Sequence, residues 1–405
     1  MALIHPFRAL RPTPENAAAV SSVPYDVVST EEARELADGN PLSFLHVSRS
    51  EIDLPPHVDP YSTAVYARAR RNFDALRQAA PLVVEDQPTL YFYRLRMGSH
   101  EQTGVAGCFS IDDYEQDIIR KHERTRRDKE DDRTRHMIEL RAQTGIVFLT
   151  YKSTAGLDAI ARTVTARPPL FDFTAADDVH HTIWAADAGE TRQLVDEFAR
   201  VSALYIADGH HRAASAARTR AELQAQGSGE EPGKFIAVAF PDNQVQILPY
   251  NRTVRDLAGR TPPQLLAELR HQSRVTDGPA RPRHKGEVSM YLDGRWYSLD
   301  LTGATPEDGS RASSLDVALL QHHVLEKLLK IGDIRSDKRI DFVGGARGTG
   351  ALEQAVNSGR AAVAFSMVPV TVADLMAISD DGGIMPPKST WFEPKLRDGL
   401  LSHVI

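Results

Sequence analysis

Three stretches of the chain carry residue types that do chemistry. The first is YIADGHHRAASAA, Tyr205 to Ala217. A short apolar run ends at Asp208, Gly209 permits a tight turn, and His210, His211 and Arg212 open a helix of small residues. A glycine turn feeding a helix N-terminus presents unbonded N–H groups and the positive end of the helix dipole, which suits a phosphate. Arg212 adds a bidentate donor for phosphate oxygens. Asp208 is placed to hold Mg2+ directly or through water. The plain alternative is a strand-to-helix connection with polar caps. Adjacent helical histidines point about 100° apart, which argues against a histidine metal site.

The second stretch is GGIMPPKSTWFEPK, Gly382 to Lys395. Two prolines stiffen the loop. Lys388, Ser389 and Thr390 then supply one cation and two hydroxyl donors, a cradle for a phosphate or a carboxylate, with Trp391 and Phe392 as walls. The same residues also suit an ordinary exposed loop. The third stretch is KHERTRRDKEDDRTRH, Lys121 to His136, with twelve charged side chains and two histidines in sixteen residues. From Arg127 onward it reads as a helix, with Asp131 and Arg135 spaced i,i+4 in the favourable order. A solvated face accounts for that half. KHER lies ahead of the helix, where Glu123 is free to face a cleft, and Asp128 and Glu130 are the next carboxylates.

The elements that must position these stretches alternate in type. Thr30 to Gly39 predicts a helix with Thr30 as N-cap. DPYSTAVYARARRNFDALRQA predicts a second helix. TLYFYRLRMG, QTGVAGCFSI and TGIVFLTY predict strands. TRQLVDEFAR predicts a helix, ALYIA a buried strand, and AASAARTRAELQAQ the helix after the glycine turn. GSGEEPGK reads as a surface loop. FIAVAF and VQILPYN read as paired strands, and EVSMYLDGRWYSLDL as a hairpin turning at Asp293-Gly294. VALLQHHVLEKLLKI predicts a helix, IDFVG and AAVAFSMV strands. The class is mixed α/β (α+β), with a junction expected in 220–240 or 255–285.

Composition narrows the function classes. Hydrophobic residues are 41% and charged residues 25% of 405, a globular balance. The net charge of −7 argues against duplex DNA as the main partner. One cysteine, Cys108, excludes an internal disulfide and a cysteine-based zinc site. MALIHPFRAL has no long apolar run of a signal peptide, and no stretch is long enough to span a membrane. The expectation is a cytoplasmic protein with small-molecule partners. Oligomeric state is not legible.

IADGHHRAA, with KHE upstream and PPKST near the end, resembles the free serine kinases of the ParB/sulfiredoxin-like superfamily. These phosphorylate the hydroxyl of free L-serine, using ADP in archaeal members and ATP in a bacterial siderophore-pathway member. Nearly the whole chain also resembles a large bacterial family filed as a domain of unknown function, through SVPYDVV, GNPLSFLHVSR, YIADGHHR, ILPYNR and MPPKSTWFEPK. The three kinase motifs occur in the kinase order. The resemblance implies an N-terminal α/β region at 1–100, a nucleotide-binding core at 101–255 and a C-terminal α/β domain at 256–405. It implies ATP or ADP as co-substrate, with phosphates at Asp208, Gly209, His210, His211 and Arg212, and Mg2+ at Asp208. Glu123 after His122 is implied as the catalytic pair, and Lys388, Ser389 and Thr390, with Arg124 or Arg126, as substrate contacts. A phosphoserine phosphatase on the same site is an alternative. So is a non-catalytic nucleotide switch of the ParB kind. The N-terminal region, and the long span from Glu123 to Asp208, depart from the kinases and bear on the substrate more than on the fold.

Overall fold

The computed structural model describes residues 3–79, 82–225 and 231–405. The first half of GSGEEPGK lies outside the described residues. The chain forms two compact units, residues 1–245 with 394–405, and residues 246–393. The mixed α/β class is as expected, but the division at residue 100 is not a boundary. Strands Tyr91–Met97 and His100–Ser110 form one antiparallel hairpin, Tyr91 opposite Ala106, across a turn where Gly98 takes φ +58°.

The first unit is built on a nine-stranded sheet. Its order is Ile119–Arg120, Leu204–Asp208, Val147–Tyr151, Lys234–Pro241, His100–Ser110, Tyr91–Met97, His180–Ala185 and Phe171–Thr174, with Ile4–His5 also on His100–Ser110. The apolar run of Lys234–Pro241 is buried from Phe235 onward, as a central strand covered on both faces requires. Phe109, Phe198, Phe235, Leu204 and Ile206 pack in one core with Ala213 and Ala216 of the helix His210–Ala225. The small residues noted in that helix are therefore what lets it lie close on the sheet.

The second unit is a six-stranded sheet, Arg274–Asp277, Arg295–Asp300, Glu287–Leu292, Val363–Ser366, Tyr250–Val254 and Ile340–Gly344. The hairpin at Asp293-Gly294 forms with both residues at positive φ, 50° and 76°, as the primed turn requires. FIAVAF and VQILPYN do not pair. The first runs between Val147–Tyr151 and His100–Ser110, while Tyr250–Val254 pairs Ile340–Gly344 and Val363–Ser366. The unit boundary falls between them, and each run finds its hydrogen bonds in its own sheet.

Local capping also differs in one place. The helix Thr30–Ala37 is capped by Ser29, whose side chain accepts from the Glu32 N–H while Glu32 returns a bond to Ser29. Thr30 is its first helical residue, because the reciprocal box needs a glutamate three residues on.

Candidate active site

Two parallel strands bring the motifs together. Ile119–Arg120 lies beside Leu204–Asp208, Ile119 paired with Leu204 and Arg120 with Tyr205. KHE follows one strand and DGHHR the other, so both leave the sheet at neighbouring carboxyl ends, the place where α/β sheets bind ligands. Gly209 turns at φ +93°, and a Cβ there would sit 3.3 Å from the Val147 Cα. The helix starts at once at His210.

The two histidines join the segments. The His122 N–H donates to His210 Nε2 at 3.3 Å, and the Arg126 N–H donates to His211 Nε2 at 3.0 Å. An accepting Nε2 leaves the proton of a neutral imidazole on Nδ1. His210 Nδ1 lies 3.8 Å from Glu123 Oε2. Burial holds the His210 pKa well below its ordinary value, and His122 lowers it further. His210 is thus a neutral N–H donor facing Glu123. His122 is buried against the His210 ring at 4.4 Å between centroids, and burial brings its pKa down to about 4. Glu123 itself has its side chain about half exposed.

Arg212 is not the exposed phosphate donor that the sequence suggests. It is 3% exposed. One terminal nitrogen donates to the Ile146 carbonyl at 2.6 Å and the other to both oxygens of Asp26 at 2.8 Å. Asp26 comes from SVPYDVV, so Arg212 clamps that loop to the helix start. Tyr25 lies beneath two guanidinium groups, Arg133 at 4.1 Å and Arg212 at 5.7 Å. Asp398 is buried in the same cluster, and burial pushes its carboxyl up to about 7 against the pull of Arg212.

Asp208 is engaged on both oxygens, by the Gly209 N–H at 3.0 Å and by Lys395 Nζ at 3.2 Å. A divalent ion would have to displace the ammonium. Among the described residues no group of three or more histidine, cysteine or acidic side chains is placed to hold a metal. The donor set does not fit a resident Mg2+ on Asp208, and no step below passes through one.

The charged helix Arg127–Leu140 is not a solvated bystander. Asp132, Thr134 and His136 are buried. Asp132 accepts from the Tyr66 hydroxyl at 2.9 Å and pairs with Arg133. Asp131 pairs with Arg218 at 2.5 Å rather than with Arg135, which reaches Tyr61 and Thr63. Its charges bind neighbouring helices because tertiary partners are less exposed than i,i+4 ones. Glu130 accepts from Thr125 and Arg218, and Asp128 pairs with Arg126 at 2.7 Å. Arg124 is exposed and has no ion pair among the described residues.

The family model described as a protein of unknown function (DUF1015) matches residues 4–318. The chain belongs to the DUF1015 family. No curated protein matches it. Among solved structures, SbnI with a C-terminal truncation from Staphylococcus aureus is 13% identical over 74% of this chain and 87% of that chain, at a TM-score of 0.39. A free serine kinase in complex with AMP is 11% identical over 74% of this chain and 91% of that one, at 0.35. A conserved hypothetical protein from Pyrococcus furiosus is 13% identical over 74% and 94%, at 0.35. These likenesses are faint, and nothing about activity follows from them.

In this DUF1015 member the PPKST loop belongs to the second unit. Lys388 takes φ +56°, and its ammonium lies 5.6 Å from the Tyr250 ring and 5.9 Å from the Phe342 ring, with no ion pair among the described residues. Its carbonyl accepts from the buried Arg252 at 3.2 Å. Ser389 is buried and Thr390 half-buried. Trp391 packs on Tyr250, 4.9 Å between ring centroids. Sequence reasoning missed Asp26, Lys395, Asp398 and Arg252. Two of these lie inside quoted motifs, SVPYDVV and MPPKSTWFEPK. A third, Arg252, ends ILPYNR.

Proposed function

We propose that the chain is a phosphotransferase that moves a phosphoryl group from ATP or ADP to the hydroxyl of a small free amino acid, L-serine first among candidates, on a ParB/sulfiredoxin-like core. The observation that carries this reading is the junction of KHE with DGHHR. A glutamate with one neutral imidazole N–H beside it stands at a glycine turn that opens a helix. That combination supplies a proton acceptor and an anion-binding terminus within one site.

In this reading Glu123 accepts the substrate hydroxyl proton as the oxygen bonds to the terminal phosphorus. The bond from that phosphorus to the bridging oxygen breaks, and the electron pair leaves with ADP or AMP. His210 places a neutral Nδ1–H 3.8 Å from Glu123, beyond hydrogen-bond distance, and adds no charge there. His211 and the His122 backbone keep the segment 122–126 against the helix. Arg212 acts at a distance, by fixing the turn through Asp26. Arg124 stands exposed on the same segment and is the candidate contact for the amino-acid carboxylate. The PPKST loop, in the second unit, is by itself a candidate anion site, since Lys388 has aromatic neighbours and no ion pair among the described residues.

The test is single-turnover transfer by Glu123→Gln. A general base contributes about 10²- to 10⁴-fold, so transfer should slow by that factor while nucleotide affinity stays. A rate within a few-fold of wild type removes Glu123 from the mechanism.

A further inference from the structure

We propose that the second unit carries an anion-binding site of its own, where strand Ile340–Gly344 turns through GGARGTG into helix Gly350–Asn357, and that it takes the phosphate group of a small phosphomonoester. The inference goes beyond the phosphotransfer reading and does not depend on it. A cavity of about 310 Å³ lies at this turn, lined by residues of the second unit alone. Gly345 is needed for packing, since a Cβ there would sit 2.6 Å from Pro249 Cδ, and Gly348 takes φ +66°. Gly350 is under neither constraint, and a Cβ there would meet no atom within 4 Å. Its backbone is therefore open to close approach. The helix ladder begins with the Leu352 N–H on the Thr349 carbonyl, which leaves the N–H groups of Gly350 and Ala351 ahead of it. Thr349 makes no side-chain cap bond to them.

A helix start alone selects no ligand; the side chains on the sheet beside it do. Asn251 and Ser366 both line the cavity, and each is only 2% exposed. They lie on paired antiparallel strands, and the register of Arg252 with Phe365 sets them opposite each other on one face. Asn251 Oδ1 accepts from the Met367 N–H at 3.0 Å, which fixes the amide and turns Nδ2 away. Neither that Nδ2 nor the Ser366 hydroxyl has a hydrogen-bond partner among the described residues. Ser289, opposite Ser366, has a buried hydroxyl that is unpaired as well. Polar groups at this depth cost free energy unless they find partners, and an oxyanion supplies an acceptor to both Asn251 and Ser366. The charge agrees. Arg281 lines the cavity, is exposed and has no ion pair among the described residues, while Arg283 is taken by Glu287 at 2.9 Å. No carboxylate lines the cavity. A helix start, an amide, a hydroxyl and a guanidinium together match the several oxygens of a phosphate better than the two of a carboxylate. Leu248, Pro249 and Met367 add apolar wall, so the phosphate is expected to carry an apolar body.

The experiment is calorimetric binding of phenyl phosphate, inorganic phosphate and benzoate to the full chain, to Ser366→Ala and to Arg281→Gln, with thermal unfolding of each. Phenyl phosphate should bind more tightly than inorganic phosphate, and benzoate most weakly. Ser366→Ala should lose about tenfold in phenyl phosphate affinity, the size of one hydrogen bond to a charged group. Without ligand it should melt at or above the wild-type temperature, because the substitution removes a buried unpaired hydroxyl. Arg281→Gln should lose about three- to tenfold, and the difference from wild type should shrink at high salt. Phenyl phosphate binding that keeps its full strength and stoichiometry in both variants overturns the site, since any phosphate bound then sits elsewhere. Ser366→Ala that melts lower and binds as before overturns it too, by making the hydroxyl structural. Benzoate bound as tightly as phenyl phosphate overturns the assignment to phosphate. None of these results bears on Glu123 or on transfer at the first unit, so this inference and the phosphotransfer reading stand or fall separately.

Discussion

Replacing Asp26 by asparagine separates a clamp from a phosphate ligand. The substitution keeps the side-chain size and removes the charge opposite Arg212. Breaking a buried ion pair from one side costs about 3–5 kcal/mol, because the other charge stays buried and unmatched. Here the cost is smaller for two reasons. Asp26 is 37% exposed, so solvent already screens part of the pair. Asp398 is buried beside the same guanidinium, and its carboxyl, pushed up to about 7 by burial, will ionise more readily once Asp26 is neutral. We expect about 2 kcal/mol. For a unit of this size each kcal/mol lowers the melting temperature by roughly 2–4 °C, so Asp26→Asn should melt about 4–8 °C below wild type. Nucleotide affinity should stay level or fall, because the turn loosens. Thermal unfolding followed by circular dichroism, with calorimetry for ADP, reads both. An unchanged melting temperature, or tighter ADP binding by a freed Arg212, would refute the clamp.

Other substitutions have defined outcomes. Gly209→Ala places a side chain at φ +93° and 3.3 Å from the Val147 Cα; strain of about 1–3 kcal/mol should lower the melting temperature and weaken ADP binding together, and a variant with wild-type affinity would show that the turn relaxes freely. His122 and His136, both brought down to about 4 by burial, bind protons more readily in the unfolded chain, so stability rises with pH from 4 to 6.5, by about 3 kcal/mol for each residue. Asp398 has the opposite slope from 3.8 to about 7, because the unfolded chain loses its proton first. Asp398→Asn should therefore lose melting temperature more steeply than wild type on acidification from pH 6.5 to 4.5. Equal slopes would mean that Asp398 is not held protonated by the fold.

The parts of the site that were legible in the sequence are the local ones. An apolar run, a glycine and a row of small residues marked Leu204–Asp208, the turn and the helix, since each follows from its own residues. What joins the motifs was not legible. The ladder between Ile119–Arg120 and Leu204–Asp208 and the pair of Arg212 with Asp26 span long separations that no local period encodes. Arg212 read as a phosphate donor because an arginine at a helix start ordinarily has water on one side. The acid that covers it lies near the beginning of the chain. Arg127–Leu140 departs from its local pattern for the same reason. Its i,i+4 spacing was favourable, but Asp132 and Asp131 found Tyr66 and Arg218 instead. Consecutive strands usually pair, which is why FIAVAF and VQILPYN read as partners, and a unit boundary between them breaks that rule.

Phosphorus NMR of the purified protein with ATP or ADP and a panel of hydroxy amino acids tests the central claim most directly. The account predicts a new phosphomonoester signal with L-serine, growing as the donor is converted to its next lower nucleotide, and growing about 10²- to 10⁴-fold more slowly in Glu123→Gln. Nucleotide that binds but phosphorylates no amino acid in the panel would contradict it, as would added phosphoserine that is only hydrolysed to inorganic phosphate.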